Sequence, residues 1–114
     1  MKDEKVTIRG YQDAVDQWIN SIGVRYFSEL TNTAILMEEV GELARIMARE
    51  YGEQSWKKDA TPSNLADEMA DVLFVLVCLA NQCGVDLEQA ITENMVKKSG
   101  RDKTRHAENV KLRP

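Results

Sequence analysis

The nine residues Val72-Leu-Phe-Val-Leu-Val-Cys-Leu-Ala80 are apolar at every position, and a helix that is apolar all round must be covered all round. Val72, Val75 and Val77 would also suit a strand, but the flanking Ala66-Asp-Glu-Met-Ala70 and a span of roughly 20 residues favour a helix. The run is far shorter than the roughly 20 apolar residues that cross a bilayer. It is therefore read as the central element of a helical bundle, covered by its own domain and by a second subunit.

Three more helices follow from apolar spacing and stop signals. Tyr11, Val15, Trp18, Ile19 and Ile22 recur at three-and-four spacing, which predicts a helix from Thr7 to Ile22 ending at Gly23. A second runs from the N-cap Ser28 to about Arg49, with Tyr51-Gly52 as its stop. After a polar connection, Thr61-Pro62-Ser63 opens the third, which continues to Gln82 and stops at Gly84. Asp86 caps a fourth that continues to about Ser99 and ends at Gly100. No alternating apolar run, internal repeat or low-complexity segment interrupts this order. The fold class is all-α: a four-helix bundle-like protomer with a central apolar third helix, one domain over residues 1–114.

Charge and cysteine usage narrow the setting. Cys78 and Cys83 are five apart on one helix and face different ways, so they read as reduced core residues of a cytoplasmic protein and not as a disulfide. No basic and apolar leader opens the chain. The net charge of −4 hides an asymmetry, because residues 97–114 carry seven Lys/Arg against Asp102 and Glu108, leaving the body strongly acidic. An acidic body with one basic end makes nucleic acid an unlikely partner and suits cations held beside phosphates.

Two acidic clusters, Glu38-Glu39-x-x-Glu42 and Glu68-x-x-Asp71, lie inside the second and third helices. On a helical wheel Ile35, Leu36, Leu43 and Ile46 fall within about 60° of Glu39, and Leu65, Val72, Val75 and Leu79 within about 60° of Glu68. Both side chains therefore point into apolar stripes, with Glu42 and Asp71 at the stripe edges and Glu38 near Arg45 and Arg49. Burying carboxylates without a counter-charge costs several kcal/mol. That counter-charge is either a metal or an Arg/Lys partner such as Lys97, Lys98 or Arg101 of the fourth helix. Pairs of acids at i, i+3 on two helices are a chelating arrangement and favour the metal, and all-oxygen ligands select a hard cation, Mg²⁺ or Mn²⁺. The one histidine, His106, cannot supply the Glu-x-x-His sets of a di-iron bundle. Lys97 and Arg101 share a helical face that can grip a polyphosphate, with Asn94 one turn earlier. Trp56, Tyr26 and Phe27 are candidates to stack on a base, whereas Trp18 reads as core.

The E-E-x-x-E cluster (Glu38, Glu39, Glu42), 25 intervening residues and E-x-x-D (Glu68, Asp71) resemble the signature of the MazG-type all-α nucleoside triphosphate pyrophosphohydrolases. The likeness extends to Tyr26-Phe27-Ser28, Asp71 to Asn81 and Arg101-Asp-Lys. It implies hydrolysis of a nucleoside triphosphate to monophosphate and pyrophosphate, in a dimer or a dimer of dimers. It also implies Mg²⁺ on Glu39, Glu42, Glu68 and Asp71, Glu38 or Glu39 as the base, and Lys97 and Arg101 on phosphate oxygens. Lys98 departs from the pattern, since relatives often carry an aromatic residue after the lysine. The expected activity is a house-cleaning pyrophosphohydrolase of the nucleotide pool. The alternative is a catalytically silent helical dimer that keeps the acids as a structural cation site and serves as a binding module.

Overall fold

The computed structural model describes residues 5–58 and 64–113. Four helices follow one another: α1 (Ile8–Ile19), α2 (Glu29–Glu50), α3 (Leu65–Gln82) and α4 (Leu87–Asp102), with a short 3-10 turn at Val110–Leu112. Each start is a cap foreseeable from residue type. The Gly10 N–H donates to Thr7 Oγ1 at 2.9 Å, the Thr31 N–H to Ser28 Oγ at 3.2 Å, and the Glu88 and Gln89 N–H groups to Asp86 Oδ1. The third helix is capped by Asn64, whose Oδ1 accepts from the Asp67 N–H at 3.0 Å; the expected entry through Thr61-Pro62-Ser63 lies outside the described residues.

Two predicted ends shift. The first helix stops at Ile19 and not Ile22: the Gly23 N–H reaches back to the Trp18 carbonyl at 3.0 Å in a closing turn, with Asn20 Nδ2 also on the Asp16 carbonyl and Ser21 Oγ on the Gln17 carbonyl. The fourth runs through Gly100 to Asp102. Gly100 faces open space on α4, so nothing there requires a left-handed turn, and its helical cost of about 1 kcal/mol is tolerated. By contrast Gly84 does adopt φ +69°, closing α3 as the Val85 N–H reaches back to the Ala80 carbonyl at 2.8 Å. The chain then bends by 103° into α4.

The apolar helix α3 is central, packed on α2 along one side and on α1 along another. Val77 is fully buried, in a cluster with Val15 and Ile19 of α1 and Cys78. Cys83 departs from the expected core placement: it sits at the α3 C-cap and is exposed. A partly buried polar lattice around the buried Gln12 ties α1 to the α3–α4 corner. Gln12 donates to Asn81 Oδ1 and the Val85 carbonyl and accepts from the Leu87 N–H, while Asn81 donates back to the Gln12 carbonyl and to Tyr26 Oη. Tyr26 in turn donates to Asp16 at 2.7 Å, and burial followed by that bond pushes its phenol up to about 12.

Helix α4 packs mainly on α1, and every side chain of residues 91–100 is exposed. The radius of gyration is 18.1 Å, whereas a compact domain of this length has about 13 Å. The protomer is therefore open. Met37 and Val40 on α2 and Met69, Leu73 and Leu76 on α3 form apolar rows facing outward, so the all-round covering that α3 needs is incomplete in one chain.

Candidate functional site

Antiparallel packing of α2 on α3 brings the two acidic clusters together. One carboxylate oxygen each from Glu39, Glu68 and Asp71 lies within 4.8 Å of the other two, a spacing that a single cation can bridge. Glu68 Oε1 is buried and has no hydrogen-bond partner. Its near neighbours are acceptors like itself, so a hydrogen bond forms there only if a proton is held between Glu39 and Glu68. That shared proton, then burial, then the charges of Glu39, Asp71 and Glu42 push Glu68 up to about 7. Burial, with Asp67 and Glu39 beside it, also raises Asp71. An orphaned buried oxygen, with a second acid driven toward its neutral form, is a donor set that fits a cation.

The sign of the pH dependence follows from Glu68. Its folded value lies above the ordinary 4.5, so the folded chain holds a proton that the unfolded chain releases between pH 4.5 and about 7. Without a cation, stability falls as pH rises through that window. A divalent ion replaces the proton, so Mg²⁺ should raise Tm more at about pH 8 than at about pH 5.5. Thermal unfolding with and without Mg²⁺ checks this, and equal shifts at both pH values would contradict it.

The other expected site residues are placed differently. Glu42 is half-exposed and pairs with Arg45 at 3.7 Å, although its charge still reaches Glu68. Glu38 is exposed, and its neighbour Arg45 pairs with Glu42. Arg49 instead stacks 5.6 Å over the ring of half-buried Trp56. Asn94, Lys97 and Arg101 lie on the exposed α4, where Arg101 donates two bonds to Asp102, at 3.0 and 2.9 Å. In one protomer they are not brought to the acids among the described residues.

Sequence reasoning missed a cavity of about 300 Å³ next to the cluster. Ile35, one turn before Glu39, and Phe74 and Val75, one turn after Asp71, belong to both neighbourhoods. Trp18, read as core, is 45% exposed and meets Phe74 edge-on at 5.8 Å on the cavity wall. Tyr26 and Phe27 close another side from a loop in which Val24 holds φ +74°, a left-handed conformation that costs a β-branched residue about 1–2 kcal/mol. The cue available in the sequence was the aromatic Tyr26-Phe27 pair just before α2. Among the described residues no single helix is long and apolar enough to cross a membrane.

Residues 27–106 match the model of the MazG nucleotide pyrophosphohydrolase domain. The chain is 43% identical over 99 residues to the Bacillus subtilis protein YpjD, covering 87% of this chain and 89% of that one. The crystal structure of YPJD from Bacillus subtilis superposes with a TM-score of 0.77 over 87% of this chain and 99% of that one, at 41% identity. That of the Bacillus-conserved MazG protein, a nucleotide pyrophosphohydrolase, gives 0.68 over 82% and 90%, at 40% identity. Mouse dCTP pyrophosphatase 1 is 42% identical over 64 residues, which are 53% of this chain and 37% of that protein.

Proposed function

The chain belongs to the MazG nucleotide pyrophosphohydrolase family, and from that premise we propose that it is a Mg²⁺-dependent hydrolase splitting nucleoside triphosphates into monophosphate and pyrophosphate. The observation that carries this reading is the convergence of Glu39, Glu68 and Asp71 around the orphaned Glu68 Oε1. Three carboxyl oxygens fit a hard cation, Mg²⁺ with Mn²⁺ as a substitute, and Glu42 joins them if it leaves Arg45. The ion supplies charge neutralisation and orientation of the triphosphate. Water adds to the α-phosphorus, the bond from that phosphorus to the bridging oxygen breaks, and pyrophosphate leaves. Glu38 or Glu39 takes the water's proton. The nucleobase occupies the aromatic cavity one turn away.

Phosphate contacts from Lys97, Arg101 and Asn94 fit a homodimer better than a lone protomer. The outward rows of α2 and α3 are completed by the same rows of a second copy, and the projecting α4 is the element free to approach the other copy's acids. Trp56, held by Arg49, borders the opposite end of α2. Free Cys78 and Cys83 suit the reducing cytoplasm, where removal of non-standard or excess triphosphates is the role such an activity fills.

Incubation with a panel of ribo- and deoxyribonucleoside triphosphates, with Mg²⁺ or with EDTA, tests the reading by anion-exchange analysis of products. Monophosphate and pyrophosphate formed in Mg²⁺ and abolished by EDTA is the expected result. Orthophosphate release, or turnover indifferent to EDTA, would overturn it.

A further inference from the structure

Asn32 is the one polar side chain on the cavity wall that is more than nine-tenths buried, at 5% exposure. Its orientation is set by a relay of amides and not by chance. The Phe27 carbonyl and the Glu29 carboxylate are acceptors, so Gln82 must turn its Nε2 toward them, at 2.6 and 3.2 Å. This leaves Gln82 Oε1 facing Asn32, which must answer with its own amide nitrogen: Nδ2 donates to Gln82 Oε1 at 2.8 Å and also reaches the Phe27 carbonyl at 3.5 Å. Both donor hydrogens of Asn32 are thereby committed to the protein. Its Oδ1 receives no donor from the described residues, and it is not among the atoms sealed away from the cavity and solvent.

The wall thus offers a fixed acceptor with no donor beside it on the same residue. We infer that Asn32 selects nucleobases carrying an amino group at the C4 position of a pyrimidine, or at C6 of a purine if the cavity admits one, so cytosine first and then adenine, and rejects their oxo counterparts. With that position held opposite Oδ1, an amino group donates to it, whereas the carbonyl of uracil or hypoxanthine sets two acceptors face to face. Register along α2 supports the assignment. Asn32 and Glu39 share a face seven residues apart, about 10.5 Å of helix rise, a span comparable with a nucleotide from its amino group to its α-phosphorus. Gln82 is a positioning residue, acting through the orientation it imposes on Asn32.

The inference rests on the triphosphate reading above, and the test separates the two. The full-length protein is assayed in Mg²⁺ for kcat/KM with two matched pairs, dCTP against dUTP and dATP against dITP. The expected result is at least about tenfold preference for dCTP over dUTP, the worth of one good hydrogen bond against an unpaired acceptor. A preference in the dATP pair as well would show that the cavity takes purines; a preference there alone would make adenine the base. Equal rates within both pairs, or preference for the oxo members, would overturn the inference while leaving the hydrolase intact. Turnover of none of the four while other triphosphates of the panel are hydrolysed would likewise overturn the inference. Turnover of no triphosphate at all would overturn the hydrolase reading, and dCMP against dUMP binding by calorimetry would then decide the base, equal affinities counting against Asn32. Gln82→Leu should free Asn32 to turn and bring the dCTP to dUTP ratio close to one. A merely structural role would lower both rates and keep the ratio. If that variant does not fold, the wild-type ratio remains decisive.

Discussion

Glu68→Gln is expected to lower kcat by at least about 10²–10³-fold, the scale of losing one preorganised charge contact at a phosphoryl site, and to make the cation-free protein more stable. The two effects have one cause. Glu68 is held against Glu39, Asp71 and the charge of Glu42, with Oε1 buried and unpartnered. A glutamine there removes one negative charge and supplies an N–H donor to its neighbours, relieving in the empty protein the repulsion that makes the site useful when filled. At about pH 8, where Glu68 would otherwise ionise, Tm should rise by several degrees, one kcal/mol corresponding to roughly 4–8 °C in a domain this small. Glu39→Gln should behave in the same way. Steady-state kinetics and thermal unfolding of each variant check the pair of signs. Retained activity would remove the carboxylates from the site, and a lowered Tm would mean that they are structural ion-pair partners.

Gln12→Ala is expected to be the most costly change away from the acids. Gln12 is 6% exposed, and removing its amide takes a partner from the Val85 carbonyl, the Leu87 N–H and Asn81 Oδ1 at the corner where α3 turns into α4, while Asn81 keeps its bonds to the Gln12 carbonyl and Tyr26. A fully buried group left without a partner costs about 1–3 kcal/mol; these three are only partly buried, so a loss near the low end of their sum, about 3 kcal/mol, is expected. Urea unfolding of the variant measures it, and a loss under about 1 kcal/mol would mean that water replaces the amide without penalty. Because Asn81 also holds Tyr26, which borders the cavity, the same variant should weaken nucleotide binding, whereas an exposed α4 change such as Val96→Ala leaves both properties near wild type.

What the sequence discloses is what repeats locally. Glu68 and Asp71 lie three apart on one helix, and their apolar neighbours recur with the helical period, so the inward direction of Glu68, with Asp71 at the edge of the same stripe, is legible without coordinates. Thr7, Ser28 and Asp86 announce their helices because a cap needs a side-chain oxygen at that very position. Asn32 and Gln82 are fifty residues apart, and nothing in either neighbourhood says that their amides meet; only the packing of α2 on α3 does. Gly100 reads as a stop because glycine often ends helices, but a left-handed residue is required only where the chain must reverse, as at Gly84. The wheel places Lys97 and Arg101 on one face correctly. It carries no knowledge of the 103° corner that turns α4 away from α3, which is why one protomer does not bring them to the acids.

The central claim is that Glu39, Glu68 and Asp71 hold the divalent ion that serves the nucleotide. Its most direct test is a crystal grown with Mn²⁺ and a non-hydrolysable nucleoside triphosphate analogue, with anomalous scattering recorded at the manganese edge. The account predicts a manganese peak within coordination distance, about 2–2.3 Å, of oxygens from all three residues, with the phosphates on its far side. A peak elsewhere, or nucleotide bound with no peak at these carboxylates, would contradict it.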